Sequence, residues 1–309
     1  MCLICDTIYE ADLRNEPVDY STLSTITRLD CSGCRTIKKI PDEMINLKRL
    51  ICSYTRVNYI SPCLINLEHI ESKETCLKII PDTLVNLTFL DCRRNYELEN
   101  IPDTLTELET LICSGCEIAN IPDTLTNLIK LECNGCINLK IIPETLVNLT
   151  YLECNRCSSL EKIPNIISLQ SISFSNCHLI KNIPSTLTNL KYLGCTHSSI
   201  TFIPNTLINV FQIYCWNCPR LTSIPVIPNL NYVFLRNNPG MNVYDKTVTK
   251  LYLPYKIKCK IALKNNNYLG LCRIRMKNKL KRIRAKLLLN CINEHILIPD
   301  INTVIIKYL

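Results

Sequence analysis

Apolar residues return along this chain with a period of 20–21 residues, and the frame is set by a recurring isoleucine-proline pair. Ile40-Pro41, Ile80-Pro81, Ile101-Pro102, Ile121-Pro122, Ile142-Pro143, Ile163-Pro164, Ile183-Pro184, Ile203-Pro204 and Ile224-Pro225 mark it, with Ile60-Ser61-Pro62 filling the one long gap. Around each pair the unit reads L-x-x-L-x-C-x-x-C/N-x-(x)-L/I-x-x-I-P-x-x-L-x-N, as at Leu128, Leu131, Cys133, Cys136, Leu139, Ile142, Pro143, Leu146 and Asn148. Ten units begin at residues 26, 47, 67, 87, 108, 128, 149, 169, 190 and 210, and a degenerate one begins at 230. Positions four and six alternate with polar neighbours, which predicts a short strand with one buried face. A proline in every unit excludes a regular helix through that point and suits the start of a short turn.

A single unit of this size cannot bury its own apolar face, so successive units must stack and pair their strands in parallel. Ten strands at a spacing of about 4.8 Å give a sheet roughly 48 Å long. Residues 1–25 precede the pattern and are expected to cap the first unit, residues 26–240 form the repeat array, and residues 241–309 follow it. Within that last segment Met276, Leu280, Ile283, Leu287 and Cys291 fall at helical spacing, predicting an amphipathic helix over residues 272–292.

Charge divides the chain in two. The formal net charge is +8, yet residues 251–309 hold 13 Lys/Arg against two Asp/Glu, leaving the first 250 residues slightly acidic. The amino terminus lacks the basic segment and long apolar stretch of a signal peptide, and no apolar run reaches the ~18 residues that cross a bilayer. The chain is therefore expected inside the cell, in the cytoplasm or nucleus, where its 21 cysteines would be thiols or metal ligands.

The pairs Cys113/Cys116 and Cys133/Cys136 match the spacing of a structural zinc site. However, the first cysteine of each pair holds the inward position six, which other units fill with Ser72, Phe174 or Leu235. The second holds position nine, filled elsewhere by Thr75, Asn95, Ser198 or Asn238. A residue exchanged for phenylalanine is a packing residue, so buried thiols are expected and zinc is the alternative. Four histidines and six glycines supply neither a nucleophile beside a base nor a phosphate loop. No enzyme activity, cofactor or small-molecule substrate is expected.

The repeat resembles the leucine-rich-repeat family across roughly residues 26–240. Its short units are similar to those of bacterial effector proteins, and its cysteine-rich style to repeat proteins of giant amoeba-infecting viruses. The resemblance implies an α/β repeat solenoid, a leucine-rich-repeat horseshoe. Its concave face would be a parallel sheet, its convex side short turns or 3-10 segments, and its carboxy-terminal cap a basic helix. It also implies that position nine satisfies backbone groups of the adjoining turn, and that ligands meet the concave face at positions three, five, seven and eight.

Read in that frame, position five carries an acidic row, Asp30, Glu71, Asp91, Glu132 and Glu153, expected to need offsetting by Arg94 or Lys130. Tyr151, Tyr192, Tyr214, Trp216, Tyr232 and Phe234 form an aromatic zone beyond it. Exposed Trp and Tyr commonly anchor protein interfaces. The expected function is a scaffold binding a protein partner, a host protein if the viral likeness holds. The alternative places function in the tail, where Arg273, Arg275, Lys277, Lys279, Lys281, Arg282, Arg284 and Lys286 would contact nucleic acid or an anionic membrane.

Overall fold

In a computed structural model the described residues are 21–225, 227–230, 232–235, 238–240, 260–265 and 268–273. Each repeat contributes one short strand. These are β1 (Arg28–Asp30), β2 (Arg49–Ile51), β3 (His69–Glu71), β4 (Phe89–Asp91), β5 (Thr110–Ile112) and β6 (Lys130–Glu132). They continue as β7 (Tyr151–Glu153), β8 (Ser171–Ser173), β9 (Tyr192–Gly194), β10 (Gln212–Tyr214) and β11 (Tyr232–Leu235). All pair in parallel with their sequence neighbours, and position three always meets position three, as Tyr151 meets Ser171 and Ser171 meets Tyr192. The period read from the isoleucine-proline pairs is thus the sheet's register.

Position four of every one of these strands is buried, from Leu29 to Val233. The isoleucine before each proline is buried as well, and the leucines two turns later close the same core. After the proline the chain makes two successive turns. Met44 N–H reaches Pro41 C=O, and Leu47 N–H reaches Met44 C=O at 2.9 Å. The 21-residue units place their extra residue in a further turn after position nine, as where Leu139 N–H meets Cys136 C=O.

These turns correct the expected fold class in one respect. Among the described residues there is no α-helix, and the 3-10 segment Ser21–Thr25 precedes the first strand instead of recurring on the convex side. Two turns consume the residues between proline and the next strand, so the repeat is all-β with no room for a helix. Leu23 of the 3-10 segment is 2% exposed and packs into the core, while residues 1–20 of the expected amino-terminal cap lie outside the described residues. At the other end, Lys260–Asn265 (β12) pairs in parallel with β11, and Tyr268–Arg273 (β13) returns antiparallel to it. Cys272 and Arg273 therefore lie on a strand where the sequence pattern predicted a helix to begin. The remainder of the expected helix lies outside the described residues.

Position eight has a backbone requirement of its own. Gly33, Tyr54, Glu74, Arg94, Gly115, Gly135, Arg156, Asn176, His197 and Asn217 all adopt positive φ, between 52° and 76°. Left-handed backbone costs a residue with a Cβ about 1–2 kcal/mol, which glycine avoids. A Cβ added at Gly135 would meet only the backbone nitrogen of Gly115, at 4.0 Å, so space there is open. Gly135→Val should therefore lose about 1–2 kcal/mol from backbone strain alone, read as a lowered urea midpoint with unchanged slope.

Candidate interaction face

Beneath the sheet, the carbonyl of position six points into the core, and position nine of the following unit supplies its hydrogen. Cys116 Sγ lies 3.1 Å from Cys92 C=O, Cys136 Sγ 3.3 Å from Cys113 C=O, and Cys157 Sγ 3.0 Å from Cys133 C=O. Cys177 and Cys218 repeat the contact to Cys154 and Cys195, both at 3.0 Å. Asn95 Nδ2 donates to Ser72 C=O in the same way, at 2.8 Å, and Asn238 Nδ2 to Cys215 C=O, at 2.6 Å. Thr55 and Ser198, with shorter reach, donate to the position-six carbonyl of their own units. Cysteine here does part of asparagine's work, which answers the zinc spacing physically. Among the described residues no three His, Cys, Asp or Glu side chains are grouped as a metal site would need.

Burial pushes the Cys52 thiol up to about 12, and Cys195 is raised by the same cause. Cys113, Cys133 and Cys154 are raised first by the hydrogen-bonded thiol of the next unit and then by burial. Their partners Cys136, Cys177 and Cys218 are drawn down by the facing thiol, Cys218 to about 7. A thiol whose folded pKa is raised stabilises the fold fully below its unfolded value of 9.0, and that stability is lost as pH climbs toward the folded value. Urea stability should accordingly fall between pH 9 and 11, and the fall should be shallower in Cys52→Ala. The same core predicts that Cys157→Ala costs about 1–2 kcal/mol, from a lost hydrogen bond to a carbonyl that keeps only Cys136 N–H, and from a small cavity. Cys157→Asn should recover much of that in urea titrations.

Two further ladders lie on the outside of the turns, formed by residues not expected above to have a role. The asparagine just before most units donates to the preceding unit, as Asn66 Nδ2 to Ile45 C=O at 2.9 Å and Asn148 Nδ2 to Thr126 C=O at 2.9 Å. A threonine after the proline does likewise, as Thr104 to Asp82 C=O at 2.6 Å and Thr145 to Asp123 C=O at 2.7 Å. The recurring x-N and Thr-Leu of the repeat pattern were the signals available.

On the concave side the acidic row stands in register, Glu71 opposite Asp91 and Glu132 opposite Glu153. Most of its charge is matched locally. Arg49 and His69 each meet Glu71 Oε1 at 2.8 Å. Asp91 is 5% exposed and held by Arg93 through Nε and a terminal nitrogen. Lys130 pairs with Glu132 at 2.8 Å, as expected, whereas Arg94 pairs with Glu74 instead of the row. Asp30 is exposed and caps its own turn at Ser32 N–H. Glu153, like Asp30, meets neutral donors. It accepts from Tyr151 OH and from Asn134 Nδ2 at 3.0 Å, both neutral donors.

The aromatic residues do come together over units nine and ten. Tyr192 and Tyr214 pack with centroids 5.6 Å apart, and His197 meets Trp216 edge-on at 5.5 Å. Trp216 is 41% exposed. Gly194 makes this packing possible, because a Cβ there would come within 2.7 Å of Ser173 Oγ and 3.3 Å of the Tyr192 ring. Tyr151 stands two strands away, with the Lys130 ammonium 5.2 Å above its ring. Tyr232 and Phe234 continue the rows on β11 by register with Gln212 and Tyr214. Of the basic tail, Arg273 is on β13, while Arg275, Lys277, Lys279, Lys281, Arg282, Arg284 and Lys286 lie outside the described residues.

The sequence profile described as Leucine Rich Repeat matches residues 168–190, about one unit of the array. The unit matched there and the stacked parallel strands are those of the leucine-rich-repeat fold. Its fold is similar to that of the functional domain of InlJ from Listeria monocytogenes, which includes a cysteine ladder. That likeness has 16% identity and a TM-score of 0.51, covering 72% of this chain and 66% of that one. YopM from Yersinia enterocolitica is similar at 17% identity and a TM-score of 0.57, over 76% of this chain and 55% of that one. The Arabidopsis receptor kinase HAESA, solved in complex with the peptide hormone IDA and the co-receptor SERK1, is similar at 19% identity and a TM-score of 0.51. There the match covers 70% of this chain and 46% of that one. In each case it spans less than two thirds of the other protein. No curated protein sequence matches this chain. Leucine-rich-repeat proteins are commonly non-enzymatic scaffolds for protein–protein interaction.

Proposed function

We propose that this leucine-rich-repeat protein is a non-enzymatic scaffold that captures a protein partner on its concave face. The observation that carries this is the aromatic group Tyr192, Tyr214, His197 and Trp216, gathered on the outward side of consecutive units. Trp216 keeps much of its surface in contact with solvent, and large rigid aromatics of this kind are the usual anchors of interfaces. The HAESA complex is a precedent for protein partners on this fold. An intracellular setting belongs to the proposal, since thiols that donate to core carbonyls must keep their hydrogens and are best preserved where the surroundings are reducing.

Trp216→Ala combined with Tyr214→Ala should leave the urea midpoint nearly unchanged, because both side chains stand on the outward face. In affinity capture from expressing cells, followed by mass spectrometry, the protein retained by the wild type should be lost by the double variant. Truncating such anchors typically costs about 2 kcal/mol or more, roughly a thirtyfold loss of affinity. A folded double variant that retains the same partner would move the interface elsewhere.

A further inference from the structure

We propose that Tyr151, Glu153 and Tyr192 form a receptor for a guanidinium group, so that the partner presents an arginine from an extended basic segment. The proposal rests on the concave-face reading and deepens it. Its first support is charge. Glu71, Asp91 and Glu132 each have a cationic partner from this chain, at 2.8, 2.5 and 2.8 Å. Glu153 has two neutral donors, and among the described residues no lysine, arginine or histidine pairs with it.

The second support is a pattern the protein already uses one unit earlier. Lys130, at position three, pairs with Glu132 and lies over the Tyr151 ring, so carboxylate, cation and aromatic face form a set. Tyr151 runs along its strand to reach Glu153 with its hydroxyl, so one ring face looks toward Lys130 and the other toward unit eight. There, position three is Ser171, in register between Tyr151 and Tyr192, with Ser173 beside it in register with Glu153. Serine is too short to repeat what Lys130 does.

The third support is the space. Tyr151 and Tyr192 are two strands apart, roughly 10 Å by ordinary strand spacing. That leaves about 7 Å between two ring surfaces, enough to admit a planar group about 3.5 Å thick against either face. Tyr192 is held there because Gly194 admits its ring and Tyr214 supports it from behind. Burial raises the Tyr192 hydroxyl, and the Glu153 charge contributes in the same direction, so the carboxylate's field reaches across the gap. A flat guanidinium matches such a slot better than a compact ammonium, since it can stack on aromatic faces and present two N–H groups to one carboxylate.

The probe is fluorescein-labelled hexa-arginine, titrated with the full chain and followed by anisotropy at low ionic strength. Wild type should bind, at least threefold tighter than it binds hexa-lysine. Glu153→Gln, which keeps shape and hydrogen-bonding capacity, should weaken binding at least tenfold, and Tyr192→Ala at least fivefold. Ser171→Lys should also weaken it at least fivefold, by placing this chain's own cation in the slot. Glu161→Gln, an exposed acid away from the slot, should bind as wild type, which separates a site from general acidity. Thermal melts establish that each variant folds, and Ser171→Lys and Glu153→Gln keep the test decisive should Tyr192→Ala fail to do so. Binding by Glu153→Gln or Ser171→Lys within twofold of wild type would overturn the receptor, as would no binding by wild type. Neither result touches the aromatic capture experiment, so the concave face could stand while the arginine receptor fell.

Discussion

A buried peptide carbonyl at position six is the group on which this solenoid turns. The sheet uses its backbone groups along three residues per unit, after which the chain must bend away while still inside the core. The carbonyl at that bend has no strand partner. In some units the position-nine N–H of the same turn reaches it, as Cys136 N–H reaches Cys133 C=O at 3.2 Å. A buried carbonyl left without a hydrogen costs about 1–3 kcal/mol. Position nine supplies the hydrogen from an asparagine amide or a cysteine thiol of the next unit. Threonine and serine at position nine serve the same carbonyl within their own units. Stacking is thus required by the apolar face that a lone unit cannot cover, and it adds a second hydrogen to a carbonyl that a lone unit serves only from its own turn.

That requirement explains the abundance of cysteine better than chemistry at sulfur does. The thiol is small, tolerates full burial and still donates a hydrogen, so it meets apolar and polar demands in one side chain. Position six accepts cysteine for a simpler reason, since Phe174 fills the same place in unit eight with no exposure. Zinc-like spacing therefore arises from a strand position and a turn position three residues apart. Asparagine does more than cysteine at position nine, because Asn95 Oδ1 also accepts from Leu77 N–H and Thr75 Oγ1.

Sequence alone revealed the apolar period. The isoleucine-proline frame placed Arg28, Arg49 and every later position three on neighbouring strands without a slip, because burial of one face leaves no freedom to shift by one residue. It did not reveal which charges would meet. Arg49 reaches the next unit's Glu71, and Arg93 reaches back along its own unit to Asp91, since long side chains choose partners by local geometry. Nor did it show the left-handed backbone at position eight, because Tyr54, Glu74, Arg94, Arg156 and His197 give no hint of a conformation glycine would prefer. Five strained residues on the lip of the concave face are a cost that packing does not explain. The strand Tyr268–Arg273 was not legible, because it lies outside the repeat register and its last two residues overlap the start of the helical spacing.

All three side-chain ladders point one way. The cysteine and asparagine rungs beneath the sheet, and the asparagine and threonine rungs outside the turns, donate from one unit to the carbonyls of the unit before it. During synthesis on the ribosome the acceptors thus emerge first, and each new unit arrives bearing the hydrogens that complete its predecessor. Growth from the amino terminus therefore leaves no more than one incomplete layer at the advancing end, however many units follow. The array can lengthen by whole units through gene duplication under the same rule, with every inserted copy closing the layer it meets.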